Sequence, residues 1–310
     1  MLTIILIVVI LISLLMVLTY LWATGGEKRL TDDERSVLAG SYIEIEQGVI
    51  HYTWHGPEDG PVVVMVHGFS TPQFVFDRNV PALVEAGYRV LTFDHFGRGY
   101  SDRPHGPYDL DFYDKELADL LVALGISEPV SLVGYSLGGG IVTVFTARHP
   151  EKVKRLVLIS PVGFMDDFPW VYRLVCVPLV GEYFFAVIAK PDLIKEFRAA
   201  EKIGHATTSM LERYEQQFEY RGAWKAMLST VRHYPMDDLT SYYQRVAREQ
   251  KPVMVIWGTA DETVSVSGAD RVIEAIAHAE KEIVSDAGHG LLYSHSTIVN
   301  GAVLKCLSSP

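Results

Sequence analysis

The stretch Val130-Ser131-Leu132-Val133-Gly134-Tyr135-Ser136-Leu137-Gly138-Gly139-Gly140 decides how the rest of the chain is read. It opens as a short apolar run of strand composition, and the run Leu137–His149 that follows has helical length. Between them, Gly134-Tyr135-Ser136-Leu137-Gly138 sets a serine at a strand-to-helix turn in the arrangement G-x-S-x-G. A serine on so tight a turn projects its hydroxyl above the sheet edge. Glycines two residues to either side remove the Cβ atoms that would strike neighbouring backbone. The helix N-terminus directly behind the serine aims backbone N–H groups at negative charge. A glycine-rich turn made for packing alone is the competing reading; the strand–turn–helix setting argues against it.

Outward from this stretch the same alternation repeats. Ser41–Glu46 and Ile50–His55 flank Gln47-Gly48 and read as a hairpin. Val62–Val66, Arg89–Asp94, Val130–Gly134, Val153–Ser160, Pro252–Trp257 and Lys281–Val284 are runs built mainly on Val, Ile and Leu, as expected of parallel strands covered on both faces. Phe74–Ala86, Phe112–Leu124, Leu137–His149, Ser267–Ala277 and Ser296–Leu307 read as helices, with Gly87, Gly125 and Pro150 as stops. The fold class is therefore α/β, with a mostly parallel sheet flanked by helices. Residues 40–161 and 236–310 form its core. Residues 162–235 break the pattern, since they hold helical stretches rich in Tyr, Phe and Trp and no convincing strand. An insertion of that size between strands is expected to be a helical cap or lid.

A serine nucleophile needs a base, and the base needs an orienting acid. Trp257-Gly258-Thr259-Ala260-Asp261 and Asp286-Ala287-Gly288-His289-Gly290 each leave the end of a late strand, so Asp261 and His289 are expected at the same sheet edge as Ser136. Of 11 histidines, His289 alone both follows a late strand beyond Ser136 and is flanked by glycines. His149 at a helix end and His278 on a helix read as solvated. Asp166 and Asp167 are the rivals for the acid. Val66-His67-Gly68-Phe69-Ser70 also leaves a strand, and acyl transfer needs two N–H donors for the oxyanion. Leu137 and Phe69 are the expected donors. His67 reads as a group that holds this loop. Asp94-His95-Phe96-Gly97-Arg98-Gly99-Tyr100-Ser101-Asp102 reads as a structural turn, because Gly97-x-Gly99 lacks the third glycine and helix of a dinucleotide site.

The chain has 310 residues, with 27 basic against 38 acidic side chains and a net charge of −11. That balance, with no basic run, argues against a nucleic-acid partner. Two cysteines, Cys176 and Cys306, cannot build a disulfide framework or a cysteine-rich zinc site. Residues 1–26 carry no charged side chain, and Leu2–Trp22 is almost wholly aliphatic. As a helix it would be about 31 Å long, which matches a hydrocarbon core of about 30 Å, with Tyr20 and Trp22 at an interface. A membrane anchor over 1–26 is expected. A cleaved signal peptide, with Ala23 and Gly25 before the cut, is the other reading, but the apolar run is long for one and no Lys or Arg precedes it. Lys28, Arg29 and Arg35 just after the span point to a cytoplasmic catalytic part, as opposed to export.

With HGFS (67–70), DHFGRGYSD (94–102), GYSLGG (134–139), WGTADETV (257–264) and AGHG (287–290) in this order, residues 40–307 resemble the α/β-hydrolase-fold superfamily. The membrane-anchored monoacylglycerol lipases are the most similar branch, through the N-terminal span, the HGFS loop and the segment Trp257 to Asp270. The chain departs from the family pattern at Ser294-His295-Ser296, where an acidic residue and Pro are usual. The resemblance implies a Ser136–His289–Asp261 triad, oxyanion donors at Phe69 and Leu137, no metal or organic cofactor, and hydrolysis of a lipid ester such as a monoacylglycerol. Serine at 136, where dehalogenases and epoxide hydrolases use aspartate, argues against those chemistries. Carbon–carbon bond hydrolases and aminopeptidases of the same fold share the triad and stay open, as does an interaction protein with an inactive site.

Overall fold

In a computed structural model the structure describes residues 1–165 and 170–309. In chain order the helices are α1 Leu2–Thr24, α2 Asp32–Val37, α3 Val80–Glu85, α4 Leu110–Ala123, α5 Leu137–Arg148, α6 Trp170–Val175, α7 Val180–Phe184, α8 Lys190–Lys202, α9 Thr208–Gln216, α10 Ala223–His233, α11 Thr240–Arg248, α12 Ser267–Ala275, α13 Leu291–Ser294 and α14 Ser296–Leu307. The strands are β1 Ser41–Ile45, β2 Gly48–His55, β3 Val62–Val66, β4 Arg89–Phe93, β5 Val130–Tyr135, β6 Val153–Ile159, β7 Val253–Gly258 and β8 Glu280–Val284.

They form one eight-stranded sheet in the order β1-β2-β4-β3-β5-β6-β7-β8. Strands β1 and β2 pair antiparallel at one edge, β2 pairs antiparallel with β4, and the other pairings are parallel. The pleat explains why the central runs β3 and β7 are apolar throughout, whereas the edge strand β8 opens on exposed Glu280 and Lys281. Val64, Leu132, Leu156, Leu158, Val255 and Trp257 face one side, under α4, α5, α11 and α12. Their neighbours Val63, Met65, Val133, Val157, Met254 and Ile256 face the other, under α3 and α14. Successive side chains point to opposite faces, and each face has its own helical layer to bury them.

Three local expectations shift. The hairpin turns at Glu46-Gln47, and Gly48, at φ +143°, already pairs with Ile45 as the first residue of β2. The run Phe74–Ala86 is a 3₁₀ turn, Gln73–Phe76, followed by the separate helix α3. Pro81 in the first turn of α3 has no N–H, and its ring would clash with the carbonyl of Asp77 in a continuous helix. Helix α12 stops at Ala275, leaving His278 in an exposed turn.

Between β6 and α11 the described chain is helical, α6 to α10, with a π turn at Phe185–Ala189. Three of its aromatic side chains, Phe197, Tyr214 and Phe218, pack on one another, while Tyr220, Trp224 and Tyr234 pack on rings outside it. Phe197 and Tyr214 stack with centroids 4.3 Å apart, and Phe218 meets Tyr214 edge-on. Helix α1 buries no residue and is long and apolar enough to cross a membrane. Its C-terminal end is tied to this helical insertion. The Thr19 hydroxyl lies 3.1 Å from that of Tyr183, and Lys190 Nζ donates to the Ala23 carbonyl at 2.7 Å. Just beyond, the Trp224 indole N–H donates to Glu27 at 2.7 Å, and Lys28 is bridged to Tyr220.

Candidate active site

Ser136 sits between β5 and α5 at φ 55°, ψ −119°, a conformation that costs about 1–3 kcal/mol and persists only when its surroundings enforce it. Here the Ser136 N–H donates to Ile159 O at 2.9 Å, and Ser136 O accepts from Gly139 and Val162 N–H. Both glycines of the motif are needed for clearance. A Cβ on Gly134 would lie 2.5 Å from the Gly138 carbonyl, and one on Gly138 would strike the carbonyls of Val66 and His67. Gly68 serves the same end across the gap, since its Cβ would come within 3.1 Å of the Ser136 Cβ. The turn therefore lies flush against the loop after β3.

His289, on the loop after β8, places Nε2 3.0 Å from Ser136 Oγ and Nδ1 2.8 Å from Asp261 Oδ2. Asp261, on the loop after β7, has a fully buried side chain, whereas that of His289 is 19% exposed. The other Asp261 oxygen accepts from the N–H groups of Thr263 and Val264 at 3.0 and 2.9 Å. The Trp257 indole pins the same loop by donating to Val264 O at 2.9 Å. Burial by itself pushes the Asp261 carboxyl up, but the hydrogen bond and charge of His289 and the Val264 N–H outweigh it and hold the group below the usual carboxylate range. With Asp261 ionised, Nδ1 of His289 carries the proton, and the Nε2 lone pair faces the Ser136 hydroxyl.

The helix behind Ser136 supplies one free donor, because the first N–H groups of α5, Leu137 foremost, have no intrahelical acceptor. The second expected donor, Phe69, lies on the loop after β3. His67, wholly buried, fixes this loop. Its Nε2 accepts from the His95 N–H at 2.9 Å, so its proton sits on Nδ1 and is donated to Gly68 O at 2.8 Å. Gly68 C=O and Phe69 N–H belong to one trans peptide and point in opposite directions. Holding the carbonyl on His67 therefore sets the direction of the N–H. Burial and the neighbouring His95 and Arg98 keep the His67 imidazole neutral, as that donor–acceptor pattern requires.

The structure thus brings Ser136, Asp261 and His289 together, with Leu137 and Phe69 beside them. Asp166 and Asp167 lie outside the described residues. His278 Nε2 donates to the Lys251 carbonyl at 3.0 Å, away from the site. His149 is half-buried against Asp114 and Phe145, not solvated as expected. Sequence reasoning passed over Tyr135, the residue between Gly134 and Ser136. Its ring lies 5.1 Å from the His289 imidazole, and its hydroxyl donates to His289 O at 2.9 Å. An aromatic beside the nucleophile, buried at a strand end, was the available signal.

A family model described as the alpha/beta hydrolase fold matches residues 61–174, from β3 past the Ser136 turn into α6. The chain is 28% identical over 272 residues to the 2-hydroxy-6-oxononadienedioate/2-hydroxy-6-oxononatrienedioate hydrolase of Escherichia coli, covering 84% of this chain and 91% of that one. It superposes on the enol-lactonase of Burkholderia xenovorans with a TM-score of 0.72 at 21% identity, over 87% of this chain and all of that one. A bacterial membrane phospholipase A aligns with a TM-score of 0.68 at 22% identity, over 99% of this chain, helix α1 included, and 98% of that one. The protein therefore has the α/β-hydrolase fold.

Proposed function

We propose that the protein is a serine hydrolase that cleaves carboxylic esters through an acyl-enzyme, with Ser136, His289 and Asp261 as its catalytic residues. The hydrogen-bonded line from Asp261 through His289 to the Ser136 hydroxyl carries this reading. His289 Nε2 takes the proton as Ser136 Oγ attacks the ester carbonyl. The oxyanion that forms accepts from Leu137 and Phe69 N–H, each such donor being worth roughly 10²–10³ in kcat. The protonated imidazole then gives its proton to the leaving alcohol. Water, deprotonated by the same nitrogen, releases the acid and restores Ser136. Asp261 holds the tautomer and stabilises the imidazolium.

The substrate we propose is a lipid ester, such as a monoacylglycerol, taken from a bilayer in which α1 is anchored, with the catalytic part on the cytoplasmic side. Two observations support it. The end of α1 is tied to the helices α7, α8 and α10 by Tyr183, Lys190 and Trp224. Helices α6 and α7 and the turns that follow them expose Leu174, Val177, Leu179, Val180 and Ile188, and the turn Phe185–Ala189 that carries Ile188 packs on α1. Apolar groups held close to a membrane span lie where an acyl chain leaves the bilayer. In detergent, turnover is expected to be faster on medium- and long-chain glycerol esters than on acetate esters. Activity confined to acetate esters rejects the lipid assignment. The name of the Escherichia coli relative makes carbon–carbon cleavage the second reading, and a vinylogous diketone assayed beside the esters separates the two.

A further inference from the structure

Three consecutive carbonyls of the loop after β3 are each held by a different buried group. Gly68 O accepts from His67, as described above. Phe69 O accepts from Arg98 Nε at 2.9 Å, and Ser70 O accepts from Gln217 Nε2 at 3.0 Å. The second and third of these holders lead to the helical insertion. Arg98 Nη2 donates to the Thr230 hydroxyl on α10 at 2.9 Å, while Gln217 lies in the 3₁₀ turn that joins α9 to α10. The Gln217 side-chain oxygen in turn accepts from Gly99 N–H, in the same turn as Arg98. Arg98, Gln217 and Thr230 are all fully buried.

Two features separate this arrangement from ordinary packing. Arg98 directs its donors at neutral oxygens, namely the carbonyls of Phe69 and Phe96 and the Thr230 hydroxyl. A buried guanidinium paired only with neutral acceptors is costly to desolvate and is not there to add stability. Thr230 is also pre-set to receive it. Its own proton goes to Ala226 O, leaving its lone pairs to Arg98 and to the Tyr113 hydroxyl 2.7 Å away. The peptides on both sides of Phe69 are consequently fixed through their oxygens, one by His67 and one by Arg98 braced on α10, and the direction of the Phe69 N–H depends on both.

We propose that Arg98 and Gln217 are positioning residues that make the oxyanion donor at Phe69 depend on how the α9–α10 segment is seated on the core. The inference rests on the esterase reading above and adds to it a link between the insertion and the oxyanion site. When the segment is seated, Phe69 N–H points at the Ser136 attack position. When it lifts, Arg98 loses Thr230, Gln217 loses both Ser70 O and Gly99 N–H, and the donor turns away.

The test uses the full chain in detergent with a p-nitrophenyl octanoate assay and octylboronic acid, which forms a tetrahedral anion on a nucleophilic serine. The variants are Arg98→Gln, Gln217→Met, Thr230→Val and Thr230→Ser. Arg98→Gln is expected to lower kcat about 100-fold, and Gln217→Met and Thr230→Val about 10-fold, with KM changed less than about threefold, because the contact is made in the transition state. Boronate affinity is expected to fall by similar factors. Thr230→Ser keeps the hydroxyl and is expected to match the unmodified protein. The Arg98→Gln, Thr230→Val double variant is expected to be no worse than Arg98→Gln alone, since Thr230 acts through Arg98. If Arg98→Gln does not fold, the Thr230 pair and Gln217→Met decide. Unchanged kcat and boronate affinity in those folded variants, or losses confined to KM, overturn the proposal. An unmodified protein with neither ester turnover nor boronate binding fails the esterase reading instead.

Discussion

Among the described residues two histidines set Nδ1 against a buried aspartate, and one of them has the surroundings of the catalytic base we propose. His289 and Asp261 are 2.8 Å apart; His51 and Asp94 are 2.7 Å apart. The difference lies at the other ring nitrogen. His289 Nε2 faces the Ser136 hydroxyl, a group that can give up a proton, whereas His51 Nε2 faces the Ala39 carbonyl, which can only accept one. The Gln73 amide also reaches Nδ1, at 2.8 Å, but two acceptors, one of them charged, favour the protonated ring. Burial opposes this, yet the Asp94 charge and hydrogen bond win, and the His51 pKa is raised. His51–Asp94 is thus an ion pair that fastens β2 to β4 beside a cavity of about 400 Å³ that no member of the Ser136 site lines. A histidine–carboxylate contact identifies nothing until its far nitrogen has been traced.

The largest expected effect separates the two directly. His289→Gln is expected to lower kcat by about 10⁴–10⁶-fold with little change in stability, measured by steady-state hydrolysis and urea unfolding. His51→Gln is expected to do the reverse, with kcat within about threefold and a loss of roughly 3 kcal/mol or more, the range for breaking a buried pair. The aspartates sharpen the contrast. Asp261→Asn leaves a carbonyl for Thr263 and Val264 but disturbs the His289 tautomer, so a fall of about 10⁴ in kcat is expected. Asp94→Asn weakens the bonds from Gln73 and Tyr100 N–H together with His51, and thermal unfolding should register it first.

A third buried pair extends the comparison to pH. His95 Nδ1 and Glu116 Oε2 are 2.5 Å apart with no solvent access. Burial pushes the Glu116 carboxyl up to about 8 and pulls the His95 imidazole down to about 3, so near neutrality this pair holds one shared proton and no net charge. The raised carboxyl pKa gives the folded state an extra proton between about 4.5 and 8, while the lowered His95 pKa takes one away between about 3 and 6.5, so the pair's contribution to stability falls as pH rises mainly from about 6.5 to 8. The raised His51 pKa acts in the same direction from about 6.5 upward. Glu116→Gln, which copies the protonated form, is expected to make the fall in urea midpoint between pH 5 and 8 shallower. An unchanged slope refutes the proton assignment. The smallest effect belongs to Tyr135→Phe. It removes one hydrogen bond to His289 O, so a loss of about threefold to tenfold in kcat is expected, with KM unaffected.

How much of this the sequence announced depended on whether a residue's role is local. Gly134, Ser136 and Gly138 were legible because a single turn needs all three, and the turn is written in five adjacent letters. The strand end that carries Asp261 was legible from an apolar run buried on both faces, and the one that carries His289 from the shorter Ile283-Val284 pair that closes the edge strand. Helix α3 was not, because Pro81 sits inside an apolar run of helical length and its clash is with a carbonyl four residues back. Arg98 and Gln217 were hidden for a stronger reason. Their partners, Phe69 O and Ser70 O, are 29 and 147 residues away in the chain, and a backbone carbonyl has no letter of its own. The hairpin turn was displaced by one residue because Gly48 pairs from a left-handed conformation that any Gln-Gly sequence permits.

The central claim is that Ser136 is the activated nucleophile. Treating the full chain in detergent with a fluorophosphonate and locating the adduct by peptide mass spectrometry tests it most directly. The account predicts one adduct, on the peptide carrying Ser136, formed by the unmodified protein and abolished in Ser136→Ala. An adduct on another residue, or none on folded unmodified protein, contradicts it.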